Sequence, residues 1–338
     1  MTGQYGLIAD IGGTNARFAL APKVALENGT LALDEQSVVA EQTLNGADYV
    51  TIEDAINAYL AQLPAQYTRP TQGCIAIACP TDQDSIKMTN HTWAFSVSAL
   101  QRALGFAGLR FINDYHALAN SIPYLGASGA VKIGGGEPVV GKPMVVTGPG
   151  TGLGLGALAF GAAGPVTLET EGGHSHFAAT DDVEIHIVQF LRKELSRVSS
   201  ERLISGMGLE NIYRALCDLR GVTAQPLRAP DISQAAMAQS DPVCVEALTR
   251  FCAVVGSYAG DVALMFGAKG GVFIAGGIVP RFMDFFRASP FRQRFEDKAR
   301  FQSYNAAIPT YVIVSKQPGL LGAAAVLNYD WHQREGNV

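Results

Sequence analysis

The stretch GLIADIGGTNARFAL, from Gly6 to Leu20, sets an acid, two glycines, a threonine and an asparagine between two apolar strands. About 138 residues further on, counted from Gly12 to Gly150, the device returns as VVTGPGTGLGLGALA, from Val145 to Ala159. A hairpin-led α/β unit used twice constrains the fold more than either copy does. Each copy alone is explained by a β-hairpin turn, because Gly and Asn supply the φ > 0 conformations such turns need. Two Gly/Thr turns facing each other across a cleft would instead offer backbone N–H groups and hydroxyls to one polyphosphate.

The chain has 338 residues, enough for two domains with substantial cores. Hydrophobic residues make up 48% and charged residues 16%, with 37 glycines, as in a compact α/β enzyme rather than a disordered chain. A net charge of −5 without a basic run gives a nucleic-acid partner no electrostatic support. No continuous apolar run approaches the roughly 20 residues of a membrane span, so no membrane association is expected. The first strand begins by Tyr5, which leaves no room for a secretory signal and points to the cytoplasm. Cys74, Cys79, Cys217, Cys244 and Cys252 are scattered and odd in number, as buried thiols in a reducing compartment are. Asn90-His91-Thr92 matches a glycosylation sequon that such a compartment would not use.

Strands and helices alternate along the chain. Strands are expected over 5–10, 16–21, 38–44, 74–79 and 110–112, and a helix over 52–60. A further helix is expected from Ser98, with Gln101 as its capping-box partner, ending before Gly105. Another runs from Tyr115 to Ile122. GLGLGA, from Gly152 to Ala157, fits a loose dinucleotide fingerprint, but Gly161, Gly164 and Pro165 follow where that fingerprint requires a helix. Nicotinamide chemistry is therefore not expected. VFIAGGIVP, from Val272 to Pro280, reads as a strand entering a helix, where adjacent glycines let a flat ring lie against backbone.

The candidate chemical groups stand where strands and turns end. Asn113-Asp114 closes an apolar strand, where an acid is costly unless paired or exposed in a cleft. Glu171-Gly172-Gly173-His174 sets an acid and an imidazole around two glycines, and Glu201 lies in VSSERL. Carboxylates accept from vicinal hydroxyls while Asn and His donate and accept, so these groups suit a neutral polyhydroxy ligand. Glu201 alone is better explained by a solvated helix face or a salt bridge than by a ligand role.

LIADIGGTNAR from Leu7, CIAIACP from Cys74, MTNHTWAFS from Met88 and Ile112-Asn113-Asp114 resemble the bacterial glucokinases of the proteobacterial type. So do GTGLG from Gly150, Glu171-Gly172-Gly173-His174, FIAGGIVPR from Phe273, the stretch from Arg292 to Arg300, and PGLLG from Pro318. The resemblance covers nearly the whole chain. It implies the α/β, actin-like (ribonuclease H-like) two-domain fold of the hexokinase superfamily, with glucose and MgATP in the interdomain cleft. The small domain would comprise residues 1–114 with about 318–338, and the large domain about 115–317.

The resemblance also implies roles. Asp10, Gly12, Gly13, Thr14 and Asn15 would form the first ATP phosphate turn, and Gly150, Thr151 and Gly152 the second, within Gly148–Gly154. Gly276 and Gly277 would lie near the adenosine. Asn113, Asp114, Glu171, His174 and Glu201 would bind the sugar, with Asp114 as catalytic base, and Asp10 would hold Mg²⁺ through water. The cysteine-rich zinc motif of the repressor/kinase (ROK) branch is absent, so no structural zinc is expected. A homodimer is implied by the resemblance alone. The alternatives are a kinase of another hexose or amino sugar, a sugar-responsive repressor for whose DNA-binding module the position of Asp10 leaves no room, and an actin-like ATPase without a sugar acceptor.

Overall fold

The structure is a computed structural model and describes residues 4–89, 91–161 and 164–336. Asn90, and with it the sequon, lies outside the described residues. The chain divides into two compact units. The first comprises Met1–Gly129, Phe160–Leu168 and Ser315–Val338, and the second Ala130–Ala159 and Glu169–Val314.

In the first unit five strands lie in the order Val39–Asn45, Asn15–Pro22, Tyr5–Ile11, Gln72–Ile77, Gly108–Asn113. Tyr5–Ile11 is antiparallel to Asn15–Pro22 and parallel to Gln72–Ile77, which is parallel to Gly108–Asn113. The central strand is apolar and buried on both faces from Leu7 to Ala9 and again at Ile11, with Asp10 between them. The helix Pro318–Arg334 lies beside it and packs on Asp114–Ser121 so closely that a Cβ at Gly322 would fall 1.7 Å from the Ala117 carbonyl oxygen. That contact keeps Asp114–Ser121 with the first unit, which therefore runs on to Gly129 rather than ending at residue 114. Phe160–Leu168 joins the same unit, and Asn120 Nδ2 donates to Thr167 Oγ1 there at 2.7 Å.

In the second unit the strand order is Ala130–Gly134, Thr310–Ile313, Gly271–Ile274, Met144–Pro149, and then Leu153–Gly161, which belongs to this unit as far as Ala159. An antiparallel hairpin followed by two parallel strands again forms its centre, so the repeat read from the sequence is a repeat of topology. The core gathers around the helix Pro242–Phe266, packed by Gly206–Arg220, Ala229–Met237 and Phe291–Glu296. At 25 residues this helix is long and apolar enough to cross a membrane, although Glu246, Arg250 and Asp261 interrupt its sequence. Its most apolar stretch is 72% buried in the protein, which accounts for that character as a core helix.

One local expectation is corrected. The helix placed at Ser98 runs from Val97 to Leu104 and is capped by Ser96, whose Oγ accepts from Ala99 N at 3.1 Å. Ser98 already lies within the helix, with its N–H donating to Asp84 Oδ1 at 2.8 Å, and Gln101 is not a capping-box partner but accepts at its carbonyl from the C-cap Gly105 N. Gly105 ends the helix in the left-handed region, as the sequence indicated.

Candidate active site

Within the first unit, Asp10 and Asn113-Asp114 open onto one sheet edge. Asp10 pairs in register with Ala76, which pairs with Ile112, and Asn113 follows at the next position. The two outer strands of this trio are thus about 10 Å apart, two inter-strand spacings, at the carboxyl ends of parallel strands where α/β folds bind ligands. Asn113 Oδ1 accepts from Tyr115 N at 2.8 Å and caps the helix Asp114–Ser121. What Asn113 has left for a ligand is its amide donors. Asp114 is the first helical residue, and its Oδ1 also lies 2.9 Å from Tyr115 N. Its charge raises the pKa of the Cys79 thiol, whose shift comes first from burial.

The turn after Asp10 is closed by Gly12 N donating to the Asn15 carbonyl at 3.0 Å, and Gly13, Thr14 and Asn15 are exposed. None of residues 12–15 has a positive φ, so the hairpin requirement that could explain these glycines does not. Asp10 itself is one-quarter exposed, with Arg17 Nη1 at 3.4 Å. Burial pushes its pKa up, and the Arg17 guanidinium pulls the other way without prevailing.

In the second unit, Gly150 N donates to the Gly152 carbonyl at 2.8 Å, and Gly206 N donates to the Gly150 carbonyl at 3.0 Å. The second glycine turn is thereby held against the first turn of the helix Gly206–Arg220, which Ser205 caps through Gly208 N at 3.0 Å. Gly150, Thr151, Gly206 and Gly277 line a cleft of about 620 Å³. Its apolar wall includes Ile278, Phe282 and Pro230. Gly276 takes φ 90°, and a Cβ there would sit 2.3 Å from the Pro149 carbonyl oxygen, so this glycine serves the chain itself. At Gly277 a Cβ would meet nothing within 4 Å, at Gly12 only the Asn15 oxygen at 3.8 Å, and at Gly150 only the Gly152 oxygen at 3.9 Å. Neither packing nor backbone strain accounts for these three. They leave bare backbone open to a ligand.

Glu171, His174 and Glu201 come together in the same unit. Each lies in or beside a short 3₁₀ turn, Gly172–His174 or Ser200–Arg202. His174 Nε2 is 3.9 Å from Glu171 Oε2 and Nδ1 is 3.9 Å from Glu201 Oε1. At that distance neither contact is a hydrogen bond, so the ring and the facing carboxylate oxygens keep their capacity for a polar ligand. Glu201 is not on a solvated helix face. Its Oε2 accepts from Leu153 N at 3.0 Å, beside the second glycine turn.

Sequence reasoning missed the cleft's far wall, where Glu210 Oε1 accepts from Ala229 N at 3.1 Å and lies 3.2 Å from Arg228 Nε. It also missed Arg197, whose Nη2 donates to the His174 carbonyl at 2.6 Å. Neither contact has a local sequence signal, because the partners lie 19 and 23 positions apart.

The chain is similar to known proteins over nearly its whole length. The family model described as Glucokinase matches residues 7–330. The glucokinase of Cronobacter sakazakii is 45% identical over 324 residues, covering 96% of this chain and 97% of that protein. The crystal structure of a glucokinase from an Antarctic psychrotroph superposes with a TM-score of 0.87 at 37% identity, covering 96% of this chain and 98% of the other. A ROK family glucokinase from Streptomyces griseus, solved with glucose and AMPPNP, shares the fold at a TM-score of 0.58 and 19% identity, over 96% and 99% of the two chains.

Proposed function

Because this chain belongs to the glucokinase family, with its actin-like two-domain α/β fold and ATP-dependent glucose kinase activity, we propose which of its residues carry the reaction. Asp114 orients the 6-hydroxyl of glucose and takes its proton as the oxygen attacks the γ-phosphorus of ATP. The bond from that phosphorus to the β-phosphate oxygen breaks, leaving ADP and glucose 6-phosphate. A positioned base of this kind contributes about 10²–10⁴-fold. Asn113 donates from its amide to the sugar. Glu171 and Glu201 accept from its hydroxyls, and His174 donates or accepts between them.

ATP is held by bare backbone. The turns at Gly12–Asn15 and Gly150–Gly152 present N–H groups and threonine hydroxyls to the phosphates, and the N-terminus of the helix Gly206–Arg220 adds a favourable dipole. The base lies against Gly277 in the 620 Å³ cleft, whose size suits a nucleotide. Among the described residues no three His, Cys, Asp or Glu side chains cluster as a protein-made metal cage requires. A single desolvated carboxylate at a strand tip fits a cation that keeps its waters and arrives on phosphate, so Asp10 would hold Mg²⁺ through water. The ion supplies neutralisation of charge on the β- and γ-phosphates.

The observation that carries this reading is the set Gly12, Gly150 and Gly277, whose missing side chains nothing in the protein requires. The burial of all five free cysteines supports a reducing, cytoplasmic setting. The test is a coupled assay with MgATP over a panel of sugars. Turnover with glucose well above mannose, fructose and glucosamine is expected, and sugar-independent ATP hydrolysis would refute the assignment.

A further inference from the structure

We propose that Arg197 is a positioning residue for the sugar, acting through the main chain of His174. The inference rests on the assignment of Glu171, His174 and Glu201 to the sugar. The two 3₁₀ turns that carry these groups are joined by a short antiparallel ladder. Ser200 N donates to the Ser175 carbonyl at 2.9 Å, and Phe177 N donates to the Val198 carbonyl at 3.2 Å around a bridge between His176 and Ser199. The ladder fixes the chain from Ser175 onward, but His174 lies one residue beyond its end.

Arg197 closes that gap. Its Nη2 donates to the His174 carbonyl at 2.6 Å, and its Nε lies 3.2 Å from His176 Nε2. The planar guanidinium reaches both from one rigid group, which a lysine cannot do. The His174 carbonyl is thus pinned from outside the loop, while His174 N donates to the Glu171 carbonyl at 3.0 Å inside it. With both ends of the residue held, the ring stands between the two carboxylates before any ligand arrives. Preorganisation of this kind improves affinity by lowering the ordering cost of binding. Arg197 touches none of the nucleotide groups described above, so its effect is confined to the sugar.

The test compares Arg197→Lys and Arg197→Ala with the parent protein by steady-state kinetics, and by hydrogen exchange without ligand. Arg197→Ala should raise KM for glucose roughly three- to tenfold, the scale of one exposed charge-assisted hydrogen bond. KM for ATP and kcat should stay within about twofold, with faster exchange at the His174 and Ser175 amides. Arg197→Lys should fall between, keeping one contact. An unchanged KM for glucose in both variants, or an equal rise in both KM values, overturns the inference, and so does unaltered exchange in a folded variant. Failure of the parent to phosphorylate glucose would instead refute the site assignment on which the inference rests.

Discussion

The carboxylate of Glu201 accepts a hydrogen bond from the backbone N–H of Leu153 at 3.0 Å across 48 positions of sequence. The strand beginning at Leu153 leaves the proposed second phosphate turn, while Glu201 faces His174 in the proposed sugar cluster. One side chain therefore ties the proposed nucleotide turn to the proposed sugar groups, and its space is reserved by Gly152, where a Cβ would lie 2.5 Å from Glu201 Oε2.

A change in the nucleotide turn should thus be felt by the sugar. In Gly152→Ala the backbone has no positive φ to strain, and the obstructing atom is the end of a flexible side chain, so the variant should fold. The displaced Glu201 loses its Leu153 contact and its place beside His174. Glucose affinity is expected to fall roughly ten- to a hundredfold, since hydrogen bonds to charged groups contribute about 1.5–3 kcal/mol. Isothermal titration with glucose alone checks this, and unaltered affinity would show that Glu201 does not report on Gly152.

Gly12→Ala and Gly277→Ala should separate stability from function. A Cβ at either position meets no atom closer than 3.8 Å, and neither residue has a positive φ. Replacing such a glycine stabilises a protein by about 0.4–1 kcal/mol through the unfolded state. Melting temperatures equal to or above the parent's are expected, together with a several-fold higher KM for ATP. Weaker ATP use accompanied by a lower melting temperature would mean that these glycines serve the fold.

Much of this was legible in the sequence because it is local. The two hairpins, the strand ends at Asp10 and Asn113, and the helix stop at Gly105 are each set by residues adjacent in the chain. The meaning of the glycines was less so: Gly12 and Gly276 look alike in sequence, yet only Gly276 needs its conformation. What could not be read depends on distant contacts. Ser96 rather than Ser98 caps its helix, and both the Ser96 hydroxyl and the Ser98 N–H are held by Asp84, at least 12 positions away. The first unit extends to Gly129 because Gly322 admits Ala117 some 200 positions away. The role of Glu201 was undecidable locally because its partner is the main chain at Leu153.

Asp10 should show a trade between stability and function. Burial holds its pKa above the ordinary carboxylate value of 3.8, with Arg17 opposing. The folded protein then binds more protons at this group than the unfolded chain does, between the ordinary carboxylate range and the raised value. Stability from this group is present at lower pH and is lost as pH rises through that window. At neutral pH Asp10→Asn should therefore melt at or above the parent's temperature without nucleotide, and the difference should vanish on acidification. The same variant should need more Mg²⁺ for half-maximal turnover. Melts across pH paired with Mg²⁺ titrations check both, and a destabilised variant with a normal Mg²⁺ requirement would contradict them.

Asp114→Asn tests the catalytic assignment most directly. Asn113 already caps the helix Asp114–Ser121 through Tyr115 N, and asparagine keeps the shape of the aspartate, so the fold should be preserved. The variant can still hydrogen-bond the 6-hydroxyl but cannot take its proton. The decisive measurement is kcat of the folded variant at saturating glucose and MgATP. A fall of about 10²–10⁴-fold is expected, with KM for ATP little changed, and a kcat near the parent's would refute Asp114 as the base.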